Sequence, residues 1–196
     1  MKVKYPATES VETIYNGITY RSRTEARWSV FFDAAGIEAV YEPEPPLVFR
    51  RSPRGLRGNV DLYLPDFWLP APRQYCEVKG WMAPDIFARI LDIARDLTRR
   101  GTDLVVLNNI PSVWDSRFPV QLTRTGDGRL VAVPWDLGPP RLSRAVPEAD
   151  ITPELLLKGH PTVCPEWAEP HLTAARWYKF PATAGPLTPR RTQLTA

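Results

Sequence analysis

Cysteine, histidine and methionine are nearly missing from this chain, with two of each among 196 residues. Cys76 and Cys164 are too few for a disulfide framework and match no paired metal spacing, so neither a disulfide scaffold nor a structural zinc site is expected. His160 and His171 both fall in the last third with no acidic or cysteine cluster around them, which excludes a histidine-based hydrolytic centre. No stretch approaches the ~20 apolar residues that a membrane helix needs. The opening Met-Lys-Val-Lys-Tyr-Pro has no apolar run behind its lysines, so no secretory leader is expected and the cytoplasm is the expected compartment.

What the chain does hold is 43% hydrophobic and 24% charged residues with a mean hydropathy of -0.29, the balance of a globular protein. The net charge is +3 with a pI near 9.0, an excess that permits nucleic-acid binding without requiring it. Almost all of the basic charge is arginine, which suits phosphate recognition; an Ala/Arg/Pro bias from a GC-rich genome explains it equally well. Ten of the 22 prolines fall after residue 138. The chain therefore divides into a domain over 1–138 and a proline-rich extension over 139–196, with a helix expected near 166–180 and fraying from about 183.

Within the first part, Ile18–Tyr20 reads as a short strand. Ser22-Arg-Thr-Glu25 then opens a helix that closes at Gly36. Strands are expected at Ile37–Tyr41, Asn59–Leu64 and Gln74–Lys79, and a helix over Pro84–Arg100 carries Ile86, Ile90, Ile93 and Leu97 at helical spacing. Asp103–Asn108 follows as a β-branched strand that should pair parallel, and Val120–Thr123 with Arg129–Val133 flank a Gly126-Asp127-Gly128 turn. In the extension, Thr152-Pro153-Glu154 signals a short helix. The order α-β-β-β-α-β indicates an α/β fold with a three-layer core.

The stretch that carries chemistry is Tyr63-Leu-Pro-Asp-Phe-Trp-Leu-Pro70 followed by Gln74-Tyr-Cys-Glu-Val-Lys-Gly80. Strand alternation puts Glu77 and Lys79 on one face and Cys76 and Val78 on the other. If the two strands form a hairpin, Asp66 comes close to Glu77. Adjacent carboxylates repel, and a hard divalent cation with oxygen ligands offsets that repulsion. A lysine beside them would hold the attacking water or stabilise charge growing on a phosphate, which suits metal-assisted phosphodiester hydrolysis.

These residues resemble the signature of the PD-(D/E)XK nuclease superfamily, in Pro65-Asp66 followed by Glu77-Val78-Lys79. The resemblance is closest to small phage and bacterial endonuclease-like members, which share a Tyr20-Arg-Ser-Arg-Thr-Glu-Ala-Arg-Trp28 helix start and the Tyr63–Pro70 strand end. It spans roughly residues 14–110 and implies a restriction-endonuclease-like core. It also implies a metal-dependent deoxyribonuclease, with endonuclease as the first expectation. Asp66, Glu77 and Glu25 would bind Mg²⁺ (Mn²⁺ as a substitute), the Val78 carbonyl would add a ligand, and Lys79 would be the catalytic lysine. Cutting both strands of a duplex would call for a homodimer, and the extension could dock a protein partner.

Each of these residues also has a plainer role open to it. Ser22 and Glu25 match a capping box, although Glu25 leads the apolar stripe of Trp28 and Phe32. Asp66 could be a turn aspartate, Asp61 is a rival acid, and Glu77 with Lys79 could form a surface ion pair. Strict alternation would put Asp66 with the apolar set, so its use requires a kink at Pro65. Arg21, Arg23 and Arg27 around Glu25 are candidates for nucleic-acid contact. Arg54 and Arg57, in a loop shared with Arg50 and Arg51, either grip phosphates or are merely solvated. Trp68 and Trp81 bracket the motif as base-stacking or core residues. The rival function is a non-catalytic nucleic-acid-binding or partner-binding module on the same fold, as in a phage or mobile-element assembly.

Overall fold

The computed structural model describes residues 10–50, 60–111, 117–137, 140–162 and 164–181. In chain order the elements are β1 (Thr13–Tyr15), β2 (Ile18–Tyr20), α1 (Arg23–Ala34), β3 (Val40–Tyr41), β4 (Leu47–Arg50) and β5 (Val60–Tyr63). Then come β6 (Phe67–Leu69), β7 (Gln74–Val78), α2 (Pro84–Arg99) and β8 (Asp103–Leu107). The remainder is β9 (Arg117–Phe118), β10 (Val120–Arg124), β11 (Leu130–Pro134), β12 (Val146–Pro147), α3 (Pro153–Lys158), β13 (His160–Pro161) and α4 (Glu169–Trp177).

The fold is mixed α/β around one large sheet. Seven strands run in the order β12-β11-β10-β8-β7-β6-β3, with β7 and β8 parallel and the other neighbours antiparallel. Parallel pairing of β7 with β8 follows from α2 lying between them, because a crossover must carry the chain back to the starting edge. On one face of the sheet, Trp28, Phe31 and Phe32 of α1 and Leu172 of α4 pack with Cys76, Val78, Val105 and Leu107. On the other, Ile90, Ile93 and Leu97 of α2 and Leu156 of α3 pack with Leu104, Val106 and Leu122. Among the described residues no helix is long and apolar enough to cross a membrane.

Local chemistry accounts for the helix ends. The Ser22 hydroxyl accepts the Glu25 amide of α1 at 3.1 Å, and Gly36 at φ +65° reverses the chain after it. Pro84 opens α2 and Gly101 at φ +77° follows its end. Thr152 caps α3 by accepting the Leu155 amide at 3.1 Å. Described residues after 138 pack onto the same sheet: β12 pairs with β11, and Ala168, Leu172 and Ala175 are wholly buried against the α1 side.

Two strand assignments need correction. The expected strand at 59–64 is β5, and it pairs with β4 in a separate two-stranded ribbon rather than with β7. The antiparallel neighbour of β7 in the main sheet is β6, which begins only after Leu64-Pro65-Asp66. Proline has no amide to continue a ladder, so Pro65 ends one strand and lets the next start with new facing. The expected strand at 37–41 shrinks to Val40–Tyr41.

Candidate functional site

The site is assembled where β7 runs alongside β8 and both strands end. In the β6–β7 hairpin Phe67 faces Cys76 and Trp68 faces Tyr75, and Asp66 lies just before this ladder, close enough to Glu77 for its charge to act on it. The break at Pro65 removes the facing conflict that continuous alternation from β5 would have imposed on Asp66. The Val78 amide donates to Asp66 Oδ2 at 2.6 Å and locks the carboxylate across the hairpin. One residue on, the Lys79 amide donates to the Leu107 carbonyl at 2.8 Å, extending β7 along β8 and fixing where the lysine emerges.

Three carboxylates are buried here: Glu25 (8% exposed), Asp66 (4%) and Glu77 (7%). Buried acids require donors or counter-charges. Glu77 Oε2 accepts the Tyr63 hydroxyl at 2.6 Å, while its Oε1 pairs with Lys79 Nζ. Asp66 Oδ1 accepts Arg21 Nη2 at 2.6 Å, and the same guanidinium reaches Glu42 through Nε at 2.8 Å. Glu25 Oε2 accepts the Tyr41 hydroxyl at 2.6 Å and the Arg21 amide at 3.1 Å. Its Oε1 accepts the Ser22 hydroxyl at 2.8 Å. Glu25 thus performs the capping role and sits in the acidic network as well. Its reach extends one residue beyond the cap, to the Arg21 amide.

The electrostatics are out of balance at Asp66. Burial and then the negative charge of Glu77 push its carboxyl up to about 8, with Glu25 adding to the rise and Lys79 and the Val78 amide opposing it. Burial and the Glu77 charge drive the Tyr63 hydroxyl well above its ordinary value, and burial with the Glu25 hydrogen bond raises Tyr41. Both phenols therefore remain protonated, as fixed donors to carboxylates.

The raised Asp66 value makes stability depend on pH. Between about pH 4 and pH 8 the folded chain keeps a proton on Asp66 that the unfolded chain gives up, so stability falls as pH rises through that window. Asp66→Asn cannot ionise and escapes this loss. In EDTA, its melting temperature relative to the native chain should therefore climb between pH 5 and pH 9. A gap that stays constant across this range would show that Asp66 is not the group responsible.

Several candidates lie elsewhere or are already engaged. Asp61, on β5, accepts from the Leu62 amide at 3.0 Å and stands 3.8 Å from Arg89, away from this cluster. Arg21 has its guanidinium committed to Asp66 and Glu42. Arg23 is exposed and Arg27 is half-buried beside the start of α1. Arg54 and Arg57, with Arg51, lie outside the described residues. Trp68 packs on Tyr75 with ring centroids 4.4 Å apart, whereas Trp81 is 45% exposed. The two phenols and Glu42 were not anticipated. Tyr63 could have been, because it shares the face of Asp61 in the alternation of β5; Tyr41 and Glu42 arrive through tertiary packing.

Beside the acids lies a cleft of about 480 Å³, lined by the first turn of α1 and by Val78, Gly80, Trp81 and Asn109. It sits at the carboxyl ends of the parallel strands, where crevices of α/β sheets commonly receive ligands. Glu25 is the one acid in its lining, and the oxygens of Glu25, like those of Asp66 and Glu77 bonded into the same network, are hard donors. That chemistry fits a divalent cation of the Mg²⁺ type. Among the described residues no three Asp, Glu, His or Cys side chains are drawn together as a ready-made metal cage. Arg21 and Lys79 hold the carboxylate oxygens instead, so a cation would have to take Asp66 Oδ1 from Arg21.

No family model, curated protein or solved structure matches this chain.

Proposed function

We propose that this chain is a divalent-metal-dependent nuclease that hydrolyses phosphodiester bonds in DNA, on a core of the PD-(D/E)XK type. The observation that carries the reading is the buried Asp66 carboxyl, bonded to the Val78 amide and close enough to Glu77 for its charge to act on it, with Lys79 paired to Glu77. Asp66 and Glu77 would hold Mg²⁺ or Mn²⁺, with Glu25 and the Val78 carbonyl as further oxygen donors. A metal so held supplies charge stabilisation at the phosphoryl group and eases deprotonation of a water. Lys79 places an ammonium beside the acids, where it orients the attacking water and offsets negative charge accumulating on phosphate oxygens. Tyr63 holds Glu77 from behind, so the carboxylate presents a fixed oxygen rather than a rotating one. The new bond joins the water oxygen to phosphorus, and the ester oxygen leaves with a proton.

A plasmid and a linear duplex incubated with the full chain should be cut in Mg²⁺ or Mn²⁺ and left intact in EDTA. Cleavage that survives EDTA would defeat the metal assignment. A second reading has its own support: Arg21 and Lys79 already occupy oxygens of Asp66 and Glu77, which would equally suit a nucleic-acid-binding module without catalysis. That module would bind DNA and leave it uncut under every metal condition.

A further inference from the structure

The cleft beside Glu25 adjoins two others. On one side it shares Val11 and Arg23 with a cleft of about 530 Å³ that also holds Arg27 and Lys179. On the other it shares Asn109 with a cleft of about 480 Å³ lined by Arg117, Lys158 and Arg176. No acidic side chain lines this second neighbour, and Glu12 is the one acid in the first. Arg23, Lys179 and Arg176 are exposed and form no ion pair among the described residues. Lys158 pairs with Glu154, but both are well exposed and such pairs hold weakly.

We propose that these three clefts form one continuous path for a nucleic-acid strand, entering over Arg23 and Lys179, passing Glu25 at the middle cleft, and leaving over Arg117, Lys158 and Arg176. This rests on the nuclease reading above and extends it, because it makes the segment after residue 138 part of the substrate surface. Cations in the clefts on both sides of the one holding Glu25 suit a polyanion long enough to span all three, rather than a single nucleotide. Trp81, 45% exposed, lines the middle cleft.

Binding of a fluorescein-labelled single-stranded DNA oligonucleotide, followed by anisotropy in EDTA over a salt series, tests this without any cleavage. Lys158→Gln/Arg176→Gln and Arg23→Gln/Lys179→Gln should each bind roughly tenfold more weakly at moderate salt, with the log–log salt slope reduced by about 1.4 for two lost phosphate contacts. Arg99→Gln/Arg129→Gln removes the same charge from a cleft elsewhere and should bind as the native chain does. Melting temperatures close to native would show that the variants are folded. If all three doubles weaken binding equally, or the path variants bind like the native chain, the path is wrong while the nuclease reading stands. Tighter capture of polyglutamate than of DNA would overturn it in favour of an acidic protein. A native chain that neither binds nor cuts DNA would end both.

Discussion

Lys79→Met should lower metal-dependent DNA cleavage by ~10²–10⁴-fold, the range typical of losing a positioned proton-transfer or charge-stabilising group. Asp66→Asn and Glu77→Gln should fall at least as far. The fold is expected to survive each change. Lys79 touches only Glu77 among its ionic partners and its side chain is a quarter exposed, so methionine keeps the aliphatic stem and loses the ammonium. Glu77→Gln retains an oxygen for the Tyr63 hydroxyl, and Asp66→Asn retains one for the Val78 amide. Initial cleavage rates on one duplex, with melting curves taken on the same preparations, separate lost chemistry from lost structure. Full activity in any one variant would remove that residue from the mechanism.

The second large effect is structural. Trp135→Ala should cost about 3–5 kcal/mol, the usual range for truncating a buried large aromatic. At ~2–4 °C per kcal/mol for a chain of this size, the melting temperature should drop by roughly 6–20 °C. Trp135 is 1% exposed and stacks on Phe118 at 5.9 Å. Its edge contacts reach Trp28 at 6.1 Å and Trp167 at 6.3 Å, so it ties α1, β9 and the segment before α4 together. The indole also donates to Gln74 Oε1 at 2.9 Å. Alanine would leave that acceptor buried at the head of β7, the strand that carries Glu77. Trp135→Phe should recover much of the packing but not the hydrogen bond. A loss below about 1 kcal/mol for alanine would mean that the site collapses far better than a close-packed core usually can.

Features fixed by short-range chemistry were legible in the sequence. Ser22 and Gly36 mark the ends of α1, Pro84 and Gly101 mark those of α2, and the β10–β11 hairpin announces itself through its glycines. Thr152 before Pro153 marks α3 in the same local way. The hairpin β1–β2 was missed despite its Asn16-Gly17 turn, in which both residues adopt positive φ. Strand β4 was hidden because Pro43, Pro45 and Pro46 precede it and its partner lies beyond the arginine-rich loop. Among the acids, the fold brings Glu77 and Glu25 close enough to Asp66 for the charge of each to bear on it. What alternation could not supply was the set of groups that hold them. Arg21, Tyr41 and Tyr63 approach from separate elements, and only the folded sheet brings them to the same acids.

Both margins of the large sheet are very short. At one end β12 is two residues long and includes Pro147, which has no amide to offer a further strand. At the other, β3 is also two residues, with Glu38, Glu42 and Glu44 close by in sequence. Brevity, proline and repelling charge are the standard means of keeping sheets from joining end to end. Two copies of this chain would therefore gain almost nothing by merging their sheets into a longer one, and self-association would have to use helical or loop surfaces.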